Sequence, residues 1–202
     1  MQQKSPLDDM GEKNTSTLVG NLLSAAHVFS TTVNMALDEE LMRNASNGQL
    51  TPAQMKLLKL VSWSEALTVG DAAAFLGVSK AAASKAVDKL VRKMFLQRST
   101  GQTDRREICI SLTDESRRVL ARYENAREQK LREIFSMSAP GELEKIAGLL
   151  DCLSARIAIE NSNAQPGKPC FQCGTYFREN CVLRTQLGRD CFHRRKTKAA
   201  TD

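Results

Sequence analysis

The sequence predicts a mainly α fold with a small β-hairpin, an α+β arrangement in which helices make up most of the chain. Apolar residues recur every three or four positions along most of the 202 residues, which is the spacing of helices that bury one face. Glycine and proline, with 11 and 5 copies, are too sparse to interrupt these stretches often. A single stretch, residues 95–112, is instead typical of two short strands around a polar turn.

The predicted elements divide the chain into five consecutive segments. Residues 1–16 are polar and are expected to be disordered, and residues 17–49 form one long amphipathic helix. Three short helices and the hairpin occupy residues 50–112, and two longer helices occupy residues 113–162. Residues 163–202 form a cysteine-rich tail, whose first part is a linker.

Residues that cap or stop helices set the boundaries between these elements. Asn47-Gly48 ends the first helix, and Gly77 stops the third. Thr51, Thr68 and Ser79 each precede a helical stretch, and their hydroxyl oxygens can accept from the first free backbone amides.

The long helices carry more apolar surface than a unit of this size can bury. The stripe on the first helix runs from Leu18 to Leu41, and a second stripe runs from Leu143 to Ile157. We therefore predict a homodimer, in which the N- and C-terminal helices of two copies pack together.

Positive charge is concentrated in two blocks of the chain, although the net charge is only +6. Residues 50–112 carry ten Lys and Arg against five Asp and Glu, which gives +5. Residues 163–202 carry eight against three, again +5, so the rest of the chain sums to −4. A basic block is the usual electrostatic footprint of a protein that binds nucleic acid.

The stretch from Leu67 to Met94 has the pattern of a helix-turn-helix, because two helices flank the turn Gly77-Val78-Ser79. Short hydroxyls and flexible ammonium groups off the apolar stripe of the second helix suit a major groove and its phosphates. The predicted DNA-binding residues on that helix are Ser79, Lys80, Ser84, Lys85 and Lys89. The hairpin adds Arg98, Asp104, Arg105 and Arg106.

Three motifs within residues 50–113 resemble the MarR family of winged helix-turn-helix transcriptional regulators. They are Leu50-Thr51-x-x-Gln54, the helix-turn-helix itself, and Asp104-Arg105-Arg106 followed after five residues by Leu112-Thr113. The resemblance covers about residues 17–160. It implies that Asp104 positions the wing, that Arg106 contacts DNA and that Arg105 assists at phosphates.

The resemblance also implies partners. It predicts a homodimer on a pseudo-palindromic double-stranded DNA operator, acting as a repressor, and a small-molecule effector at the hinge between the dimer helices and the winged domain. Met94 and Ser116 stand where members commonly have glycine. We therefore expect the turn at Met94 to be built differently here.

The tail carries four of the six cysteines within 22 residues, in the order Cys170, Cys173, Cys181 and Cys191. Four thiolates can close a tetrahedral site, with His193 as an alternative ligand to Cys191. The sequence thus predicts one metal centre per chain, and zinc and [4Fe-4S] both remain open. Such a centre either stabilises the tail or senses redox or metal state. Cys109 and Cys152, which neighbour apolar residues, are interpreted as small buried side chains.

Other functional classes find less support in the sequence. No nucleophile has an evident base partner and no phosphate-binding glycine loop is present, so we predict no catalytic residues and no enzyme. The N-terminus has no apolar core of a secretory signal, and we expect a cytoplasmic protein with no membrane partner. The alternative function is a winged-helix protein-interaction module that has lost DNA binding.

Overall fold

The structure, a computed structural model, describes residues 6–63, 67–100, 108–160, 170–174 and 176–193. It opens with a long helical rod made of α1 (Pro6–Val33), a π-helical turn (Asn34–Glu39) and α2 (Glu40–Ala45). The rod was expected to begin at Thr17, after a disordered segment 1–16, but α1 already begins at Pro6, a residue that the first turn of a helix tolerates. The rod ends just before Asn47 and Gly48, where the sequence predicted its end, and both residues adopt left-handed conformations.

A compact winged-helix unit follows, formed by residues 50–112. Its helices are α3 (Pro52–Ser62), α4 (Val69–Leu76) and α5 (Lys80–Arg92), and its strands are β1 (Leu67–Thr68), β2 (Leu96–Thr100) and β3 (Ile108–Leu112). The three strands form an antiparallel sheet in the order β1-β3-β2. The sequence analysis predicted β2 and β3 as a hairpin and missed the two-residue strand β1.

Side-chain caps begin the helices of this unit where the sequence placed them. Thr51 and Gln54 form a reciprocal capping box at α3, and Thr68 and Asp71 form another at α4. The hydroxyl of Ser79 accepts from the third residue of α5 at 3.2 Å. These bonds satisfy amides that have no partner within the helix, so each helix start is locally encoded.

The turn after α5 corrects one expectation. Met94 has a φ of 62°, so the turn keeps the left-handed conformation that glycine would adopt most easily. It is therefore not built differently, and a methionine occupies the strained position. Ser116 instead makes use of its hydroxyl, which is fully buried and donates to the backbone carbonyl of Phe95.

Two long helices, α6 (Asp114–Phe135) and α7 (Pro140–Glu160), follow the sheet, and a short helix, α8 (Val182–Thr185), lies in the tail. The core joins α2, α3, α5, the sheet and α6. Its fully buried members include Met42, Met55, Leu58, Leu90, Ile110 and Tyr123. In the part of the chain that the structure describes, no helix is long and apolar enough to cross a membrane.

Most of the two predicted dimer stripes is exposed in the single chain, although Leu37 near the end of the first stripe is buried. The exposed apolar side chains of α1 are Leu18, Val19, Leu22, Leu23, Val28 and Phe29, and those of α7 are Leu143, Ile146, Leu149, Leu150, Ile157 and Ile159. Exposed apolar side chains concentrated on two helices in this way are typical of a protein–protein contact.

Candidate functional site

The outer face of α5 carries the predicted DNA-reading side chains. Lys80, Lys85 and Lys89 are exposed, while Ala83 and Val87 on the opposite face are fully buried. Ser79 is exposed at the N-cap, and Ser84 is partly buried within the same outer surface. The helix is therefore anchored by one face and presents a slim, basic, hydroxyl-bearing face to solvent.

Of the predicted DNA-binding residues of the hairpin, only Arg98 lies in the part of the chain that the structure describes. Arg98, on β2, pairs with Asp88 of α5 at 2.8 Å, so its guanidinium ties the wing to the helix in the free protein. Both partners are part-exposed, and an ion pair of this kind contributes little to stability and can be exchanged for a phosphate. Asp104, Arg105 and Arg106 lie outside the described residues.

The second candidate site is the cysteine module, which we define as residues 170–174 and 176–193. Cys170 and Cys191 lie side by side in a short parallel bridge, with the Cys170 amide 2.7 Å from the carbonyl oxygen of Asp190. Gly174, with a φ of 54°, lets the chain turn tightly after Cys173. Cys181 directly precedes α8, and its carbonyl accepts from two amides of that helix.

This geometry brings the four predicted thiols into one neighbourhood. Burial is the main cause that raises the pKa of Cys173 to about 11, and the nearby thiols of Cys191, Cys181 and Cys170 add to the shift. Among the described residues, however, no three His, Cys, Asp or Glu side chains already stand in a metal-holding geometry. The thiols are thus neighbours without forming a closed ligand set.

A cleft of about 570 Å³ opens between the module and α7. Two of the thiols, Cys173 and Cys181, line it together with Arg178 and Arg189. Arg178 also pairs with Asp151 of α7. These two thiols can therefore be reached from solvent, and the cationic side chains around them would balance negative charge on a thiolate centre.

The remaining two cysteines lie outside the cysteine module. Cys109 is buried in β3, as predicted. Cys152 is exposed on α7, which corrects the expectation of a buried side chain. Its apolar neighbour Leu150 belongs to the stripe that the single chain leaves uncovered.

The module is docked on the winged-helix unit through aromatic rings. Phe171 makes an edge-to-face contact with Phe75 of α4 at 5.8 Å between centroids, and it also packs on Phe192 at 4.7 Å. Phe192 is only 2% exposed and belongs to the main core. The sequence analysis assigned these aromatic residues no such role, because no local pattern indicates which distant helix a tail will meet.

His193, proposed above as an alternative ligand, also lies in this contact. Its ring packs edge-to-face on Trp63, at the end of α3, with centroids 4.9 Å apart, and it also faces Phe177. Burial lowers the pKa of this imidazole, which favours its neutral form. The aromatic surroundings account for the buried ring without a metal.

A buried carboxylate joins the module to the rest of the fold. Asp38 lies in the π-helical turn, is 2% exposed, and accepts from the hydroxyls of Tyr123 at 2.8 Å and Tyr176 at 2.6 Å. Arg127 lies over the Tyr176 ring at 5.3 Å. Burial, followed by the hydrogen bond to Asp38, raises the pKa of both phenols, that of Tyr176 to about 12. Sequence reasoning missed Asp38, whose only signal was a carboxylate beside apolar-stripe residues.

The comparison with known proteins agrees with the helix-turn-helix geometry. The family profile described as "MarR family" matches residues 50–108, which span the winged-helix unit almost completely. Over these residues the winged-helix unit is similar to the MarR family. A relative, the HTH-type transcriptional regulator YfiV of Bacillus subtilis, is 28% identical over 112 residues, covering 55% of this chain and 69% of its own.

Solved structures share the MarR fold with this chain. A MarR family transcription regulator, SP03579, superposes with a TM-score of 0.65 at 16% identity, covering 76% of this chain and 99% of its own. Rv1404 from Mycobacterium tuberculosis superposes with a TM-score of 0.58 at 20% identity, covering 76% and 95%. Each neighbour is thus matched nearly whole, while about a quarter of this chain has no counterpart in it.

Proposed function

We propose that this transcriptional regulator is a homodimer that binds a pseudo-palindromic DNA operator and represses the genes beside it. The observation that carries the proposal is the face of α5, where exposed lysines and a capping serine stand opposite a buried apolar face. A helix anchored in this way can enter a major groove without rearranging the core. Repression follows if the dimer occupies DNA that the transcription machinery needs.

The exposed stripes support the dimer. Twelve large apolar side chains of α1 and α7 are uncovered in the single chain, and a second copy offers the same surface in return. The two copies of α5, the DNA-reading helix, would be related by a two-fold axis and would match the two half-sites of a palindrome. A small-molecule effector at the hinge stays a prediction from the family resemblance.

We further propose that Cys170, Cys173, Cys181 and Cys191 hold one metal centre. The neighbourhood of the four thiols, the tight turn at Gly174 and the solvent-facing cleft support this site. Zinc needs the thiols to close into a tetrahedron, whereas a [4Fe-4S] cluster spaces its four ligands more widely. His193 is the weaker candidate ligand, since its ring is packed among aromatic side chains.

The test of DNA binding begins with a duplex that the full-length protein selects from a random-sequence pool. Lys85→Ala on the exposed face of α5 and Arg106→Ala in the wing should each weaken binding and reduce the salt dependence by about one phosphate contact. Lys145→Ala, which removes an exposed lysine of α7, is the matched control and should leave both unchanged.

Selection from the random-sequence pool also distinguishes a DNA-binding regulator from a protein-interaction module. If the pool yields no retained duplex at any salt concentration, the DNA-binding proposal fails and a protein-interaction module becomes the better reading of the fold. If a duplex is retained but both variants bind it like the parent, the assigned reading surface is wrong.

A further inference from the structure

The cysteine module occupies the junction between the dimer helix and the winged-helix unit. Tyr176 reaches Asp38 in the π-helical turn of the long rod, while Phe171 touches Phe75 of α4. The module therefore contacts both the dimer helix and the winged-helix unit. The relative orientation of these two parts decides where α5, the DNA-reading helix, points. A π-turn inside an otherwise α-helical rod commonly marks a functional position, and here it carries the buried carboxylate.

The contact residues are covalent neighbours of the thiols. Phe171 directly follows Cys170, Phe192 directly follows Cys191, and Tyr176 lies three residues after Cys173. Anything that draws the four thiols together fixes these rings at the same time. The module meets the winged-helix unit, the main core and the long rod through these rings, so its docked position depends on how well the rings are held together.

We infer that the cysteine module is a built-in effector, which docks on the hinge when a thiophilic metal binds its thiols and leaves it when that metal is lost. This inference rests on the proposed metal centre and DNA binding. The docked module ties α4 to the long rod through Tyr176, Asp38 and the Phe171–Phe75 contact. It thereby fixes the spacing of the two reading helices and reduces the ordering that operator binding would otherwise require.

The docking step can be followed without DNA, because Trp63 is the single tryptophan of the chain and packs against His193 of the module. Full-length protein, kept reduced and free of oxygen, is loaded with Zn²⁺ or isolated with its own metal and then treated with a chelator. We expect the Trp63 emission to shift to longer wavelength as the ring becomes solvated. Cys173→Ser should show the shifted emission from the start.

Cys152→Ser is the matched control, since it removes an exposed thiol outside the module. It should bind metal and respond to the chelator as the parent does. If metal analysis confirms that the parent has lost its metal while Trp63 emission stays unchanged, docking does not depend on the metal and the inference is overturned.

The coupling step compares operator affinity with and without metal. Chelation should weaken binding of the selected duplex by about 5–150-fold, the usual range of coupling between two sites. Tyr176→Phe, which retains the ring but cannot donate to Asp38, should keep its metal and lose most of that response. Unchanged or tighter binding after chelation would overturn the inference.

The two proposals fail in different ways. A parent protein that binds no duplex in either state contradicts the proposed DNA binding, and the Trp63 signal still decides whether the metal controls docking. A parent that binds duplex but takes up neither Zn²⁺ nor iron contradicts the metal-controlled effector and leaves the DNA-binding proposal standing.

Discussion

The hydroxyl of Tyr176 donates a 2.6 Å hydrogen bond to the carboxylate of Asp38, which lies 138 residues earlier in the chain. The other oxygen of that carboxylate accepts from Tyr123 at 2.8 Å. A buried carboxylate is costly unless donors surround it, and these two phenols supply the solvation that water would otherwise provide. The long rod, α6 and the cysteine module are thereby joined at one group.

The first prediction uses the fact that Tyr123 and Tyr176 are the only tyrosines. In unfolded protein both phenols should ionise near pH 10. In the native protein, burial and the bond to Asp38 raise the pKa of Tyr176 to about 12 and that of Tyr123 further. Tyrosinate absorbance should therefore stay low through pH 10 in native protein and rise there in denaturant.

The same shift predicts how stability depends on pH. Because the folded pKa values lie above the unfolded ones, the stabilisation is complete below pH 10 and is lost as the pH rises through the folded values. Asp38→Asn removes the negative charge and should bring both titrations closer to pH 10, while burial keeps part of the shift. Native tyrosines that titrate like unfolded ones would contradict the buried arrangement.

The second prediction concerns the strained turn at Met94. Its left-handed φ of 62° is costly for a side chain, yet the side chain is 71% exposed and packs little. Relief of about 1–2 kcal/mol of strain should outweigh the flexibility that glycine adds to the unfolded chain, so Met94→Gly should stabilise the protein by about 1 kcal/mol. Urea unfolding measures this difference.

Met137 offers the matched control, because it is 95% exposed and does not adopt a left-handed conformation. Met137→Gly removes a comparable side chain without relieving strain, and it should leave stability unchanged or lower it. Equal effects of the two substitutions would mean that backbone strain at Met94 is not the cause.

Features that depend on local chemistry could be predicted from the sequence, whereas the backbone conformation of the turn at Met94 could not. Thr51, Thr68 and Ser79 cap the helices that they precede, because each bond spans only three residues. The family pattern suggested an altered turn at Met94, but the chain keeps the left-handed geometry, since the surrounding sheet and α5 determine it more strongly than one side chain's preference.

The candidate site divides in the same way. The basic outer face of α5 was predictable, because helical spacing alone separates Lys85 and Lys89 from the buried Val87. The bond between Asp38 and Tyr176 and the ring contact between Phe171 and Phe75 join segments far apart in sequence. Such contacts are determined by tertiary packing and cannot be predicted from the periodicity or spacing of residues along the sequence.

The third prediction tests the dimer. Ile146 belongs to the α7 stripe and is 55% exposed in the single chain. Ile146→Lys should place a charge in the predicted interface and convert the dimer to a monomer, because an unpaired charge is strongly disfavoured there. Light scattering should give twice the chain mass for the parent and the single-chain mass for the variant.

Glu144→Lys is the control for that experiment, since helical spacing places position 144 on the opposite face of α7 from position 146. It introduces the same side chain and should leave the dimer intact. A parent protein that already has the mass of one chain would overturn the proposed assembly.

The last prediction concerns the ligands of the proposed metal centre. A closed site of four thiolates rarely tolerates the loss of one, so Cys170→Ser, Cys173→Ser, Cys181→Ser and Cys191→Ser should each release most of the metal. Cys152→Ser should retain it. Metal analysis gives the content, and absorbance in the visible range with iron and sulfide distinguishes a cluster from colourless zinc.

His193 allows the alternative ligand set to be tested with the same measurement. His193→Phe keeps an aromatic ring against Trp63 and removes the metal-binding nitrogens, so it should preserve both the packing and the metal if four cysteines are the ligands. Loss of metal in His193→Phe together with retention in Cys191→Ser would assign the fourth ligand to the histidine. Full metal content in all four serine variants would instead mean that the thiols share no centre, and docking of the module would then rest on its aromatic contacts and on Asp38 alone.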